Sequence, residues 1–244
     1  METQNFNFVQ SHEQSNAMSK TFMASVFSWM SAALVITGIV SYYFGNDAGL
    51  SSMLRTINPE TGRYSSTILG LVVMFSPLGL VLIMGVGFRK LSYPILLSLY
   101  LLFAMLMGAS MSSIFIQYTN SSIVSVFFAS SGMFGLMAFV GYTTKTDLTK
   151  FGSIMMMGLV GIIIASVINW FIGSNTMSYI ISFIGVLVFT GLTAYDVQKL
   201  KRVGSGLEYG AEETNKLVIW GAMDLYLDFI NLFLFMLRLF GDRK

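Results

Sequence analysis

Three aspartates, Asp196, Asp224 and Asp228, lie inside the last two apolar segments of a chain whose apolar segments otherwise contain no charge except Arg238, near the end of the last one. An ionisable side chain in membrane hydrocarbon is costly and usually marks a functional site. Asp224, Asp228 and Asn231 recur at i, i+4 and i+7, which places them in one polar stripe on a helix. Carboxylates one turn apart repel each other unless a proton or a cation compensates them. We therefore predict a central helix whose stripe faces other helices or a water-filled cavity.

The composition indicates an all-α integral membrane protein. Of 244 residues, 55% are hydrophobic and only 11% are charged, with a mean hydropathy of +0.71. The net charge of +2 is small, and the basic residues lie between apolar segments rather than in a patch with interleaved aromatics, so nucleic-acid binding is not expected. The chain has no cysteine and a single histidine, His12, which removes the usual ligands of zinc, copper and haem. Any bound metal is therefore expected to be a hard cation on oxygen ligands.

Seven segments are apolar for about the 20 residues that a membrane-spanning helix needs. They cover residues 21–44, 66–88, 94–117, 121–142, 152–172, 177–197 and 217–239. Polar or glycine-containing breaks separate them at residues 45–47, 58–62, 89–90, 118–122, 145–147, 173–175 and 202–215. We expect a polar tail at 1–19, one membrane domain at 20–241 and a short tail at 242–244.

The distribution of Lys and Arg predicts the orientation. With the N-terminus in the cytoplasm, nine basic residues lie inside: Lys20, Arg89, Lys90, Lys145, Lys150, Lys199, Lys201, Arg202 and Lys216. Five lie outside: Arg55, Arg63, Arg238, Arg243 and Lys244. The sequence therefore predicts a multi-pass protein with its N-terminus inside and its C-terminus outside.

Small residues inside the spans are expected at helix contacts. Gly132 and Gly135 lie three residues apart, as do Gly158 and Gly161. Because a missing side chain lets two backbones approach, we interpret these pairs as packing positions.

One motif resembles a known family. Residues 225–233 read LYLDFINLF, and Tyr195-Asp196 closes the preceding span. Together they resemble the Bax inhibitor-1 family, also called the Bax inhibitor motif or Lifeguard group, including its bacterial members. The seven-span layout extends the resemblance over residues 21–241. It implies six helices around a central seventh, in a bacterial inner or plasma membrane.

The resemblance also implies a function. In this family a pH-sensitive calcium leak is gated by two aspartates that share a proton, and the matching residues are Asp196 and Asp228. An arginine after the second helix pairs with the first aspartate in the closed state, and Arg89 is its match. Calcium would be the bound or transported ion at Asp196 and Asp228, and no other cofactor is implied. Asp224 departs from the family pattern, since relatives usually carry a small or hydroxyl residue there.

Two other functions fit the residues. An intramembrane aspartyl protease also uses two aspartates on consecutive helices, but its Gly-x-Gly-Asp motif is matched poorly by residues 221–224, which read GAMD. The other alternative is a regulator that binds a membrane-anchored AAA protease, with residues 1–19 as its contact segment. We expect a non-enzymatic protein whose partners are the lipid bilayer and calcium.

Overall fold

The computed structural model describes residues 2–57, 64–207 and 212–244, with side chains from Ala17 onward. Its helices are α1 (Glu2–Asn46), α2 (Ala48–Leu54), α3 (Ile68–Gly87), α4 (Tyr93–Met111), α5 (Ile114–Gln117), α6 (Asn120–Thr143), α7 (Thr149–Ile172), α8 (Asn175–Ser205) and α9 (Glu212–Phe240). Between α2 and α3, strands β1 (Arg55–Ile57) and β2 (Tyr64–Ser66) pair antiparallel. Within the described residues, seven helical spans are long and apolar enough to cross a membrane. The prediction of an all-helical membrane protein is confirmed.

Most predicted breaks coincide with helix ends. Asn46 ends α1, and Asp47 caps α2 by accepting a hydrogen bond from the Leu50 amide at 2.8 Å. Such side chains satisfy amides that lack a partner in the first helical turn. Gly173 ends α7 with φ 70°, a left-handed conformation that favours glycine. The predicted loop at 58–62 and Arg63 lie outside the described residues.

The end of the sixth span differs from the prediction. We expected it to end near residue 197, whereas α8 continues to Ser205 and includes Arg202. Asp196 therefore lies roughly 14 Å inside the helix end, at 1.5 Å per residue, and not within its last turn. The polar residues after Val197 remain helical because Gln198 and Arg202 bond to the connection between α6 and α7.

The N-terminal polar segment is part of α1, which begins at Glu2 and continues into the first span without a break. The C-terminal residues form backbone hydrogen bonds with another part of the chain. Asp242 accepts a backbone hydrogen bond from Thr119 at 3.0 Å, and Lys244 donates one to Gln117 at 3.0 Å. These bonds attach the chain end to the connection between α5 and α6.

Helix α9 is the most buried of the seven described spans. It contacts α1, α4, α6 and α8, while α3 packs mainly on α4 and α7 on α8. Accordingly, 67% of the apolar window of α9 is buried, against 11% in α3 and in α7. The outward faces of α3 and α7 carry exposed apolar side chains, as expected for surfaces against lipid.

The bundle has two ends, which we name by one residue each. The Arg55 face carries β1, β2, α5 and the C-terminus; the Arg202 face carries the connections from α3 to α4, α6 to α7 and α8 to α9.

Candidate functional site

The three membrane aspartates line one cavity between α7, α8 and α9. The cavity has a volume of about 450 Å³. Its α7 wall is apolar, formed by Met156, Leu159 and Ile163. Its polar side chains come from α8 and α9, namely Tyr195, Asp196, Lys199, Asp224, Asp228 and Asn231. The predicted polar stripe of α9 therefore faces a cavity, beside the aspartate of α8.

Asp196 and Asp228 meet across the contact between α8 and α9. Their carboxyl groups lie within hydrogen-bonding reach of each other. Because ionised carboxylates are acceptors only, a hydrogen bond between them requires one proton on the pair. Asp228 is 6% exposed, and in the described part of the chain its buried Oδ2 has no hydrogen-bond partner. The pair is thus a buried acid site with unused acceptor capacity.

Lys199 supplies the positive charge nearest to this pair. Its Nζ lies 3.7 Å from Asp196 Oδ1 and 4.0 Å from Asp224 Oδ2. Asp196 is in reach because Lys199 follows it by three residues on the same helix. Asp224 belongs to α9, so Lys199 also links the two helices. Its side chain is 49% exposed, whereas those of Asp196 and Asp224 are 15% and 24% exposed.

Arg89, the residue expected to pair with Asp196, lies elsewhere. It occupies an exposed turn after α3, on the Arg202 face. Within the described part of the chain it forms no ion pair, and the cation beside Asp196 is Lys199. Sequence reasoning treated Lys199 only as a residue that sets topology. Its spacing of three from Asp196 was the available signal.

Asn231 completes the cavity wall one turn beyond Asp228. Its amide nitrogen donates to the carbonyl of Leu227 at 2.8 Å, which leaves the amide oxygen as an acceptor. Among the described residues, no group of three or more His, Cys, Asp or Glu is placed to hold a metal together. A calcium ion here would use two carboxyl groups, the Asn231 oxygen and water, since calcium takes six to eight oxygens.

A buried hydroxyl chain fixes α9 opposite the cavity, and sequence reasoning missed it. The Tyr226 and Thr37 hydroxyls lie 2.8 Å apart, and Thr37 donates to the Ala104 carbonyl at 2.9 Å. Tyr226 and Thr37 are 0% and 3% exposed. The chain joins α9 to α1 and α4, and thereby sets the rotation that aims Asp228 toward α8. The signal was Tyr226 itself, a hydroxyl inside the motif at 225–233.

The extended end of α8 is held by the connection between α6 and α7. Gln198 accepts from the Leu148 amide at 2.9 Å and donates to the Thr146 carbonyl at 2.8 Å. Arg202 contacts Asp147 at 2.7 Å. Hydrogen bonds from Thr149 and from Arg202 lower the pKa of Asp147 below its ordinary value of 3.8. These contacts fix the part of α8 that carries Asp196 and Lys199.

Close approach of α8 to its neighbours depends on glycines that we did not single out. A methyl group at Gly141 of α6 would collide with the Ala194 carbonyl, and one at Gly152 of α7 with the Tyr195 ring. In contrast, a Cβ at Gly132, Gly135 or Gly161 would meet no described residue within 4 Å. The interpretation of these three as packing positions is wrong, while Gly158 does contact Val188.

Comparison with known proteins places nearly all of the chain in one family. Residues 19–244 match the sequence model of the family described as Inhibitor of apoptosis-promoting Bax1. The chain is 41% identical over 232 residues to inner membrane protein YbhL of Escherichia coli K12, covering 95% of each chain. It is 38% identical to an uncharacterized protein of Borreliella burgdorferi, covering 95% and 96% of the two chains. It is 33% identical to an uncharacterized membrane protein of Streptococcus pyogenes, covering 94% and 96%.

Proposed function

This chain belongs to the Bax inhibitor family, as its motif predicted, and we propose that it is a calcium leak of the bacterial inner membrane. In this proposal Asp196 and Asp228 form the ion-gating and pH-sensing pair. The observation that carries it is the meeting of these two carboxyl groups in a cavity inside a membrane bundle. The inner-membrane location rests on the name of the Escherichia coli relative.

The proposed cycle begins with the pair sharing one proton. In that state a hydrogen bond between the carboxyls holds α8 against α9, because one carboxyl donates and the other accepts. Loss of the proton leaves two negative charges that repel each other in a poorly solvated place. A hard cation resolves the repulsion, since carboxylate oxygens are the ligands that calcium prefers. Proton and calcium therefore compete for the same oxygens.

Asp224 and Lys199 modify this competition. Lys199 lies within 4.0 Å of both Asp196 and Asp224, so it holds positive charge at the cavity before any metal arrives. A calcium ion that enters must displace this ammonium group or bind beside it. Lys199 thus acts as a tethered competitor, and Asp224 as the residue that keeps it in place.

Flux through reconstituted protein tests the proposal. Purified protein in liposomes that contain a calcium-sensitive dye should admit calcium at a rate that changes with pH. Asp228→Asn should abolish the pH response, because an amide cannot share the proton. Asp224→Asn, one turn away on the same stripe, should only shift the response, since it removes a neighbouring charge but not the pair.

Two results would reject the proposal. One is wild-type calcium entry no faster than entry into protein-free vesicles. The other is an equal effect of Asp224→Asn and Asp228→Asn, which would mean that the paired carboxyls are not the sensor. Each variant should elute as wild type in size-exclusion chromatography, so that misfolding is not mistaken for loss of function.

A further inference from the structure

A second polar cavity lies on the Arg55 face, at the other end of the bundle from the cavity of the aspartates. Its volume is about 210 Å³. Apart from the apolar Ile116, it is lined by Arg55 and by hydroxyl and amide side chains: Tyr64, Ser65, Ser66, Ser113 and Gln117. These groups can all donate hydrogen bonds, and none of the described lining residues is acidic.

The Arg55 guanidinium is only partly satisfied by the protein. Its Nη2 donates to the Ser112 hydroxyl at 2.6 Å, and Ser112, which is 0% exposed, donates onward to the Ala109 carbonyl. Its Nη1 is buried and has no hydrogen-bond partner among the described residues. No described carboxylate forms an ion pair with Arg55. A buried donor on a charged group is costly to leave without an acceptor.

The strand register places a hydroxyl beside the guanidinium. Arg55 of β1 lies directly opposite Ser66 of β2. Side chains of opposed residues share one face of the ribbon with Cβ atoms about 5 Å apart. The Arg55 Nη1 and the Ser66 hydroxyl can therefore donate hydrogen bonds to the same acceptor.

The cavity lies where the chain enters the apolar layer. Helix α3 begins at Ile68, two residues after β2, and Ile68 is 84% exposed. An exposed isoleucine at the first turn of a spanning helix belongs at the boundary between lipid and water. We therefore expect the Arg55 guanidinium near the depth of the lipid headgroups.

We propose that this cavity, which we name the Arg55 cavity, binds a phosphate group. The planar guanidinium fork matches phosphate oxygens and binds them in pairs. The surrounding hydroxyls and the Gln117 amide supply donors for the remaining oxygens, of which a phosphate has more than a carboxylate. The phosphate can belong to an anionic phospholipid or to free inorganic phosphate, since both offer the same oxygens.

Binding of two probes to the purified full-length protein in detergent tests the proposal. Inorganic phosphate is titrated by calorimetry, and retention of phosphatidylglycerol is followed by native mass spectrometry. Wild type should bind one or both probes. Arg55→Gln should weaken that binding at least about tenfold, because the charged fork is lost. Arg55→Lys should weaken it less, since it keeps the charge but not the fork.

Two matched controls separate the cavity from general charge effects. Arg243→Gln removes a positive charge from the same face outside the cavity, and it should bind both probes as wild type does. Ser66→Asp places a carboxylate opposite Arg55 and should abolish binding while leaving the Ser112 contact intact. Thr56→Asp adds the same charge one residue along β1, at a residue that does not line the cavity, and should retain most of the binding.

The outcomes are decisive in each case. Phosphate binding that depends on Arg55 assigns the cavity to the free anion; phosphatidylglycerol retention alone assigns it to the lipid. The proposal is overturned if wild type binds neither probe, or if Arg55→Gln binds as wild type does. If Arg55→Gln does not fold, Ser66→Asp provides the test. Binding by Ser66→Asp that equals wild-type binding would then overturn the proposal.

Discussion

Lys199 provides the sharpest test of how the cavity of the aspartates selects its cation. The perturbation is Lys199→Gln, which removes the ammonium group but keeps a polar side chain of similar length. In the structure this group lies 3.7 Å from Asp196 and 4.0 Å from Asp224. If it competes with calcium for these carboxylates, its removal should tighten calcium binding.

The size of the effect follows from the two ion pairs. Lys199 is 49% exposed, so solvent screens both pairs. Exposed pairs contribute about 0.2 to 1 kcal/mol each, and two of them about 0.4 to 2 kcal/mol together. At about 1.4 kcal/mol per tenfold change, the half-saturating calcium concentration should fall roughly 2- to 30-fold. The low exposure of the two aspartates favours the upper part of this range.

The assay is the rate of calcium entry into proteoliposomes as a function of external calcium at one fixed pH. Lys199→Arg retains the charge and should stay near the wild-type curve. Lys150→Gln removes an exposed lysine outside the cavity and should leave the curve unchanged. The reasoning is refuted if Lys199→Gln has the same half-saturating concentration as wild type. If no variant conducts calcium, the proposed function fails as a whole, which is a different result.

Three further predictions concern stability, measured as the free energy of unfolding in mixed micelles titrated with dodecyl sulfate. Gly141→Ala should lower the free energy of unfolding by about 1 to 3 kcal/mol, because the added methyl group meets a backbone carbonyl of α8. The control Gly132→Ala, on the same helix, should leave the free energy of unfolding unchanged or raise it by up to about 1 kcal/mol. Equal effects of the two substitutions would contradict the contact assigned to Gly141. Tyr226→Phe should lower the free energy of unfolding by about 0.6 to 1.7 kcal/mol, because it removes the buried contact between the Tyr226 and Thr37 hydroxyls. The control Tyr179→Phe, at a residue that is 60% exposed, should leave the free energy of unfolding unchanged. Asp147→Asn should be less stable than wild type at pH 7, because the lowered pKa of Asp147 stabilises the folded state at pH values above the ordinary pKa of 3.8. This stabilisation is lost as the pH falls through the pKa of Asp147 in the folded state. If the stability difference between wild type and variant does not shrink below about pH 4, this explanation is excluded.

The sequence alone determined the class of the protein and the residues that could carry chemistry. Apolar runs of about 20 residues and their breaks are local properties, since each span satisfies its own backbone hydrogen bonds. The stripe of Asp224, Asp228 and Asn231 is local as well, because helical spacing fixes it. The motif at 225–233 is a run of consecutive residues, so it too could be recognised from the sequence, and it identified the family.

The tertiary structure decided which of these groups meet. Local patterns ended the sixth span near residue 197, but contacts from the α6–α7 connection carry α8 on to Ser205. That extension puts Asp196 deep enough to meet Asp228, and it places Lys199 where Arg89 was expected. The packing of α6 and α7 against α8 also determined that Gly141 and Gly152, and not Gly132, lie close to a neighbouring helix. Such meetings depend on the lengths, depths and rotations of separate helices, which packing between helices sets and hydropathy along one helix does not encode.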